Sequence, residues 1–136
     1  MKICVIGLGY IGLPTSLLLA SAGHKVCGFD IKRETIEKLN RNELPFLEPG
    51  LEELFQKART NFQASSTIQS SDAYIIAVPT PVENGLKIAD LAAVKNASHA
   101  ILQVIQDGQI VILESTVPSL TNTVVPSYTI NVADES

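Results

Sequence analysis

The chain has 136 residues, 46% apolar and 18% charged, with a net charge of −4. That length supports one domain with a sizeable core, and no apolar run reaches the ~18 residues that a membrane span requires. The acidic balance, without any Lys/Arg cluster, argues against a nucleic-acid partner, and the composition fits a cytoplasmic protein with no membrane role.

The first stretch, Lys2-Ile3-Cys4-Val5-Ile6, reads as a short buried strand. It is no signal peptide, because glycines follow where the apolar region should continue. Gly7, Gly9 and Gly12 stand at the spacing G-x-G-x-x-G, and a helical pattern begins directly after them. In a dinucleotide-binding turn each glycine has its own task. Gly7 allows the tight turn out of the strand, Gly9 lets the backbone approach a pyrophosphate, and Gly12 lets the helix pack on the sheet. The helix N-terminus then directs N–H groups and its positive dipole end toward phosphates. The candidate cofactor contacts in this turn are Gly7, Gly9, Tyr10, Ile11 and Gly12.

The first helix is expected over Tyr10–Ala22, apolar almost all round through Leu13, Leu17, Leu18 and Ala20, with Pro14 near its first turn and Gly23 as its stop. Lys25 to Asp30 is the second strand. Asp30 lies 18 positions beyond Gly12, near the offset at which a carboxylate reaches the adenosine ribose. It would accept hydrogen bonds from ribose hydroxyls and repel the 2′-phosphate of NADP. Its other reading, compatible with the first, is N-cap of a helix over 31–40. Lys32 and Arg33 follow, facing either the adenine side or water; an Arg33 that reached a 2′-phosphate would let NADP bind. Cys4 and Cys27, on the first two strands, read as small buried thiols rather than metal ligands or a disulfide.

Asn42 and Pro45 mark a break, and a further helix is expected over 51–59. A short strand at 62–64 and a helical turn from Ser66 or Thr67 to Ser71 precede the fourth strand, 72–78. That strand runs into Pro79-Thr80-Pro81, where two prolines stiffen the loop and Thr80 offers a hydroxyl and an N–H to a passing dinucleotide, or the loop is only a rigid turn. Asn84-Gly85 is a turn. Asp90 caps a long helix, 91–106, with Leu91, Val94, Ser98, Ile101 and Ile105 inward and His99 outward, stopped by Asp107-Gly108. The fifth strand, 109–113, ends in Glu114-Ser115-Thr116-Val117-Pro118. The hydroxyls of Ser115 and Thr116 fall near the nicotinamide end of a cofactor, or cap a helix starting at the proline. A short helix at 121–125 and a strand at 128–132 complete the chain. The alternation argues an α/β fold, a doubly wound parallel Rossmann sheet with residues 1–136 as one dinucleotide-binding domain.

Three stretches together resemble the nucleotide-sugar 6-dehydrogenases: Gly7 to Thr15, Ala77-Val78-Pro79-Thr80-Pro81, and Leu113 to Pro118. Leu-Pro-Thr, Val-Pro-Thr-Pro and Leu-Glu-Ser-Thr are most similar to the branch that acts on UDP-N-acetylhexosamines. The resemblance implies oxidation of a UDP-sugar at C6 to its uronic acid with two NAD, through an aldehyde, a cysteine thiohemiacetal and a thioester. It implies that Thr80 lines the cofactor site and that Thr116 contacts the cofactor and a catalytic water. In relatives the nucleophilic cysteine, its helpers and the UDP-sugar domain lie beyond residue 136. The usual Pro-Gly-Thr-Thr is replaced here by Pro118-Ser119-Leu120-Thr121. The expectation is therefore the cofactor half of a larger, homo-oligomeric enzyme, which binds NAD but does not turn over UDP-sugar alone. The alternatives are a stand-alone NAD-binding regulatory module and the domain of a UDP-glucose 6-dehydrogenase.

Overall fold

Six parallel strands form one sheet in the computed structural model, which describes residues 1–81, 91–115 and 130–132. In chain order the elements are β1 (Lys2–Ile6), α1 (Gly12–Ser21), β2 (Lys25–Phe29), α2 (Arg33–Asn40) and α3 (Leu51–Ala58), then β3 (Phe62–Ser65), β4 (Ala73–Ile76), α4 (Ala92–Leu102), β5 (Ile110–Leu113) and β6 (Ile130–Val132). The strand order is β3-β2-β1-β4-β5-β6, which is the doubly wound order expected. The chain leaves β1 toward one edge and later returns beside it with β4. The crevice between β1 and β4 at their carboxyl ends is the topological switch point, where open parallel sheets bind ligands.

Side chains alternate across each strand, so β1 feeds two cores. Ile3 and Val5 pack with Leu13, Leu17 and Ala20 of α1 and Leu51, Phe55 and Ala58 of α3. Cys4 and Ile6 face the other way, with Tyr74, Ile76, Val111 and Leu113, against Val94, Ala97 and Ile101 of α4. Each large side chain buried this way contributes about 1.5–3 kcal/mol.

Local signals set most element ends. Gly23 has φ +102°, its N–H donates to Ala20 O (3.1 Å) and the N–H of His24 to Leu19 O (3.2 Å), closing α1 in a Schellman motif. Asn42 (φ 63°) does the same for α2, with Glu43 N–H on Lys38 O (2.9 Å).

Several expectations are corrected. Helix α1 starts at Gly12 rather than Tyr10 and leaves Leu18 58% exposed, so it buries one face rather than nearly all of itself. Asp30 is not the N-cap of α2: the cap position is Lys32, and Asp30 is committed elsewhere. The stretch after β3 is a bend and not a helical turn, because Ser65 Oγ accepts the Thr67 N–H (3.1 Å). Helix α4 ends at Leu102, short of Gln106. Gln109 Oε1 accepts the Gln106 N–H (2.9 Å), which takes that residue out of the helix, and Asp107-Gly108 forms a later turn. Asn84-Gly85, the Asp90 cap, Thr116 and the 121–125 helix lie outside the described residues.

Candidate functional site

The carboxyl end of β1 turns sharply at Gly7, which has φ +100° and donates its N–H to Phe29 O (2.8 Å). A Cβ here would sit 2.5 Å from Ala77 O, so the turn also needs a bare backbone against the end of β4. A Cβ on Gly12 would lie 1.7 Å from Gly7 O, so only glycine lets α1 begin against its own turn. Gly9 differs: nothing lies within 4 Å of where its Cβ would be. The space above Gly9 is open, as a cradle for a ligand would be. No side chain caps α1 and no acidic residue stands in its first turn. Its positive end and N–H groups therefore face this space with no acidic residue of the helix itself before them.

Asp30 ties the second strand to this loop. Its Oδ2 accepts the Leu8 N–H (2.9 Å) and its Oδ1 the Lys32 N–H (2.8 Å). Each oxygen retains a lone pair for a further donor. Beside Asp30 lies a cleft of about 520 Å³ walled by Ile31, Val78, Pro79, Pro81, Ala92, Ala93 and Ala100, with Asn96 among its polar lining residues. Apolar walls with a carboxylate at the rim suit a flat heteroaromatic ring joined to a hydroxylated sugar.

Two further loops close the other side. The N–H groups of Glu114 and Ser115 both donate to Ile76 O (2.9 and 3.2 Å), and Ser115 Oγ donates to Val78 O (2.8 Å). The loop after β4 is thereby held against the end of β5. Thr15 Oγ1 on α1 donates to Glu114 Oε1 (2.8 Å), joining residues 99 positions apart. Glu114 Oε2 is buried without any hydrogen-bond partner.

The expected residues are thus placed as follows. Gly7, Gly9, Tyr10, Ile11 and Gly12 share one loop; Tyr10 is 71% exposed with its ring centroid 4.5 Å from that of Phe46, and Ile11 is also exposed. Asp30 and Pro79 line the cleft, and Thr80 follows in the same loop. Arg33 points to solvent on α2, its Nε 3.2 Å from Glu37 Oε1. Ser115 spends its hydroxyl hydrogen on Val78. The structure adds Thr15 and Glu114, which the sequence reading does not single out. Both stand inside the motifs, yet no short-range pattern pairs them.

Cys4 and Cys27 face each other in register on β1 and β2, both free and buried. Their mutual hydrogen bond, with burial, pushes the Cys4 thiol far up, and the same bond lowers Cys27. Among the described residues no three His, Cys, Asp or Glu side chains gather as metal ligands, and no helix is long and apolar enough to cross a membrane.

Residues 1–135 match the NAD binding domain of the UDP-glucose/GDP-mannose dehydrogenase family. The chain is 43% identical over 122 residues to a UDP-N-acetyl-D-mannosamine dehydrogenase of Methanococcus maripaludis, covering 86% of this chain and 29% of that one. It is 42% identical over 118 residues to the enzyme of that name from Escherichia coli, covering 85% and 28%. Among solved structures it is similar to the UDP-N-acetyl-mannosamine dehydrogenase of Staphylococcus aureus, with TM-score 0.87 and 34% identity over 97% of this chain and 35% of that one. A ternary complex of GDP-mannose dehydrogenase from Pseudomonas aeruginosa gives 0.83 and 31%, covering 92% and 31%. The chain therefore spans under a third of the length of the curated relatives it matches.

Proposed function

We propose, from the premise that this chain belongs to the UDP-glucose/GDP-mannose dehydrogenase family and is its NAD binding domain, that it is the cofactor half of an enzyme oxidising the C6 alcohol of UDP-N-acetylmannosamine to the uronic acid with two NAD. The names of the relatives at 42–43% identity support that substrate. In this reading residues 1–136 are one dinucleotide-binding unit of a cytoplasmic homo-oligomer whose UDP-sugar site lies in further chain.

The observation that carries the reading is the join of Asp30 to the glycine turn through the Leu8 N–H. It sets a carboxylate for the adenosine ribose beside the open space over Gly9 and the uncapped start of α1, which would take the pyrophosphate. The adenine would enter the apolar cleft between Ile31 and α4. Pro79 and Thr80 would line the cofactor along the loop after β4, Ser115 and Thr116 would border the nicotinamide half, with Thr116 also positioning a water, and Tyr10 and Ile11 would cover the pyrophosphate. Arg33 would stand at the adenosine edge. Bound NAD supplies the hydride acceptor; the residues of this chain bind and orient it. A carboxylate at the ribose opposes a 2′-phosphate, so NAD should bind in preference to NADP.

Two measurements test this. Calorimetry on the chain should show NAD binding tighter than NADP binding, with the preference lost in Asp30→Ala. The chain alone should form no NADH with UDP-N-acetylmannosamine, whereas a protein extended to the length of its relatives should. Equal affinity for the two cofactors, or turnover by the 136-residue chain, would overturn the reading.

A further inference from the structure

The carboxylate at the end of β5 is built into its position and left incomplete. Glu114 is fixed twice, by its N–H on Ile76 O (2.9 Å) and by Thr15 Oγ1 on its Oε1 (2.8 Å). Its Oε2 is buried and receives nothing. A buried carboxylate oxygen without a donor is costly, and native structures seldom leave one so unless something else completes it. None of the three ion pairs among the described residues includes Glu114, so no cation of those residues balances it. Ser115 adds to the asymmetry. Its hydroxyl hydrogen goes to Val78 O, so toward a ligand it too presents only lone pairs. At the end of β5, Glu114 Oε2 and Ser115 Oγ therefore offer a ligand acceptors alone.

Topology says which ligand group comes here. Asp30 ends β2 and the glycine turn ends β1, whereas Glu114 ends β5, on the far side of the β1–β4 switch point. A dinucleotide with its adenosine at Asp30 and its pyrophosphate at α1 extends its other half toward β4 and β5. That half carries donors, the ribose hydroxyls and the carboxamide NH₂. Its ring is cationic when oxidised and neutral once it has accepted hydride. We infer that Glu114 is a cofactor-binding residue for the nicotinamide half, and that its carboxylate makes the site favour NAD⁺ over NADH. This rests on the NAD site proposed above and adds to it a selectivity for oxidation state.

A competing account makes Glu114 only a strut between α1 and β5. The two differ in what they do to the ratio of affinities. Losing a strut weakens both cofactor forms alike; losing a charge near the ring weakens the cationic form alone. The test is Glu114→Gln, which keeps the shape and an acceptor for Thr15. NAD⁺ is titrated by calorimetry and NADH by its fluorescence, and a thermal melt confirms folding. The ratio Kd(NAD⁺)/Kd(NADH) should rise about tenfold. Thr15→Val, which keeps the charge, should move it by about twofold or less. A ratio unchanged in Glu114→Gln would overturn the inference. The unmutated chain provides an independent check through ADP-ribose, which lacks the nicotinamide. NAD⁺ should bind more tightly than ADP-ribose, and NADH should gain less; equal affinity for all three would also overturn the inference. Binding of ADP-ribose with no discrimination between NAD⁺ and NADH refutes the role of Glu114 alone. Binding of none of them refutes the NAD site as well.

Discussion

The two ends of the sheet are finished in opposite ways. At the amino ends of the strands, side chains satisfy one another. Asp72 accepts the Lys2 N–H (2.7 Å), Tyr74 OH receives the Ser71 N–H (2.9 Å) and donates to Gln109 Oε1 (3.0 Å), and Asn61 Nδ2 donates to Ala20 O (3.2 Å) while its Oδ1 takes Lys25 Nζ (2.7 Å). At the carboxyl ends the chain is unfinished: an uncapped helix, open space over Gly9, a carboxylate oxygen without a donor, and exposed Tyr10, Ile11 and Ile31. The amino edge also carries a cleft, of about 380 Å³ and lined by Lys2, Lys25, Asn61 and Gln69, but the buried carboxylate oxygen without a donor lies at the carboxyl edge, where a packed scaffold carries its site.

Apart from the glycines packed inside the turn itself, substitutions at the two edges should therefore separate stability from binding. The largest effect belongs to Gly12→Ala, where a methyl must displace the Gly7 carbonyl; we expect about 3 kcal/mol lost in denaturant unfolding, because backbone cannot give way as a side chain can. Asp30→Ala should weaken NAD by roughly tenfold to a hundredfold in calorimetry, the value of hydrogen bonds to a charged group. Tyr74→Phe, at the opposite edge, should cost about 1–2 kcal/mol of stability by stranding the Ser71 N–H, with NAD affinity unchanged. Gly9→Ala inverts that pattern: its Cβ meets nothing in the fold, so the melting curve should shift by no more than about 0.5 kcal/mol while NAD affinity falls. The smallest effect on stability is that of Arg33→Ala, which breaks an exposed i,i+4 pair worth about 0.5 kcal/mol or less.

What could be read in the sequence follows the same division. The β1–glycine–α1 unit, the strand ending at Asp30 and the strand ends at 79–81 and 114–115 were legible because each is a local pattern: a periodicity, a glycine spacing, a proline. Features resting on partners distant in sequence were not. The bond between Thr15 and Glu114 crosses 99 residues, and no window of the chain contains both. Ser115 reads in sequence as a hydroxyl for the cofactor or for a helix cap, because the Val78 carbonyl that accepts its hydrogen bond comes from the loop after β4. Asp30 looked like a helix cap because aspartate before a helix commonly is one; the Leu8 N–H, brought beside it by sheet pairing, holds one of its oxygens. The end of α4 was misplaced for a related reason, since periodicity continues past Leu102 while the Gln109 side chain has already claimed the backbone at Gln106.

NAD bound at the carboxyl edge should leave the amino edge untouched. An amide-resolved NMR titration of the 136-residue chain with NAD tests this directly. Shifts should concentrate at Leu8, Gly9, Ile31 and Ser115, with Asn61, Ser71 and Lys2 unmoved. Shifts centred on the amino edge, or none at saturating NAD, would contradict it.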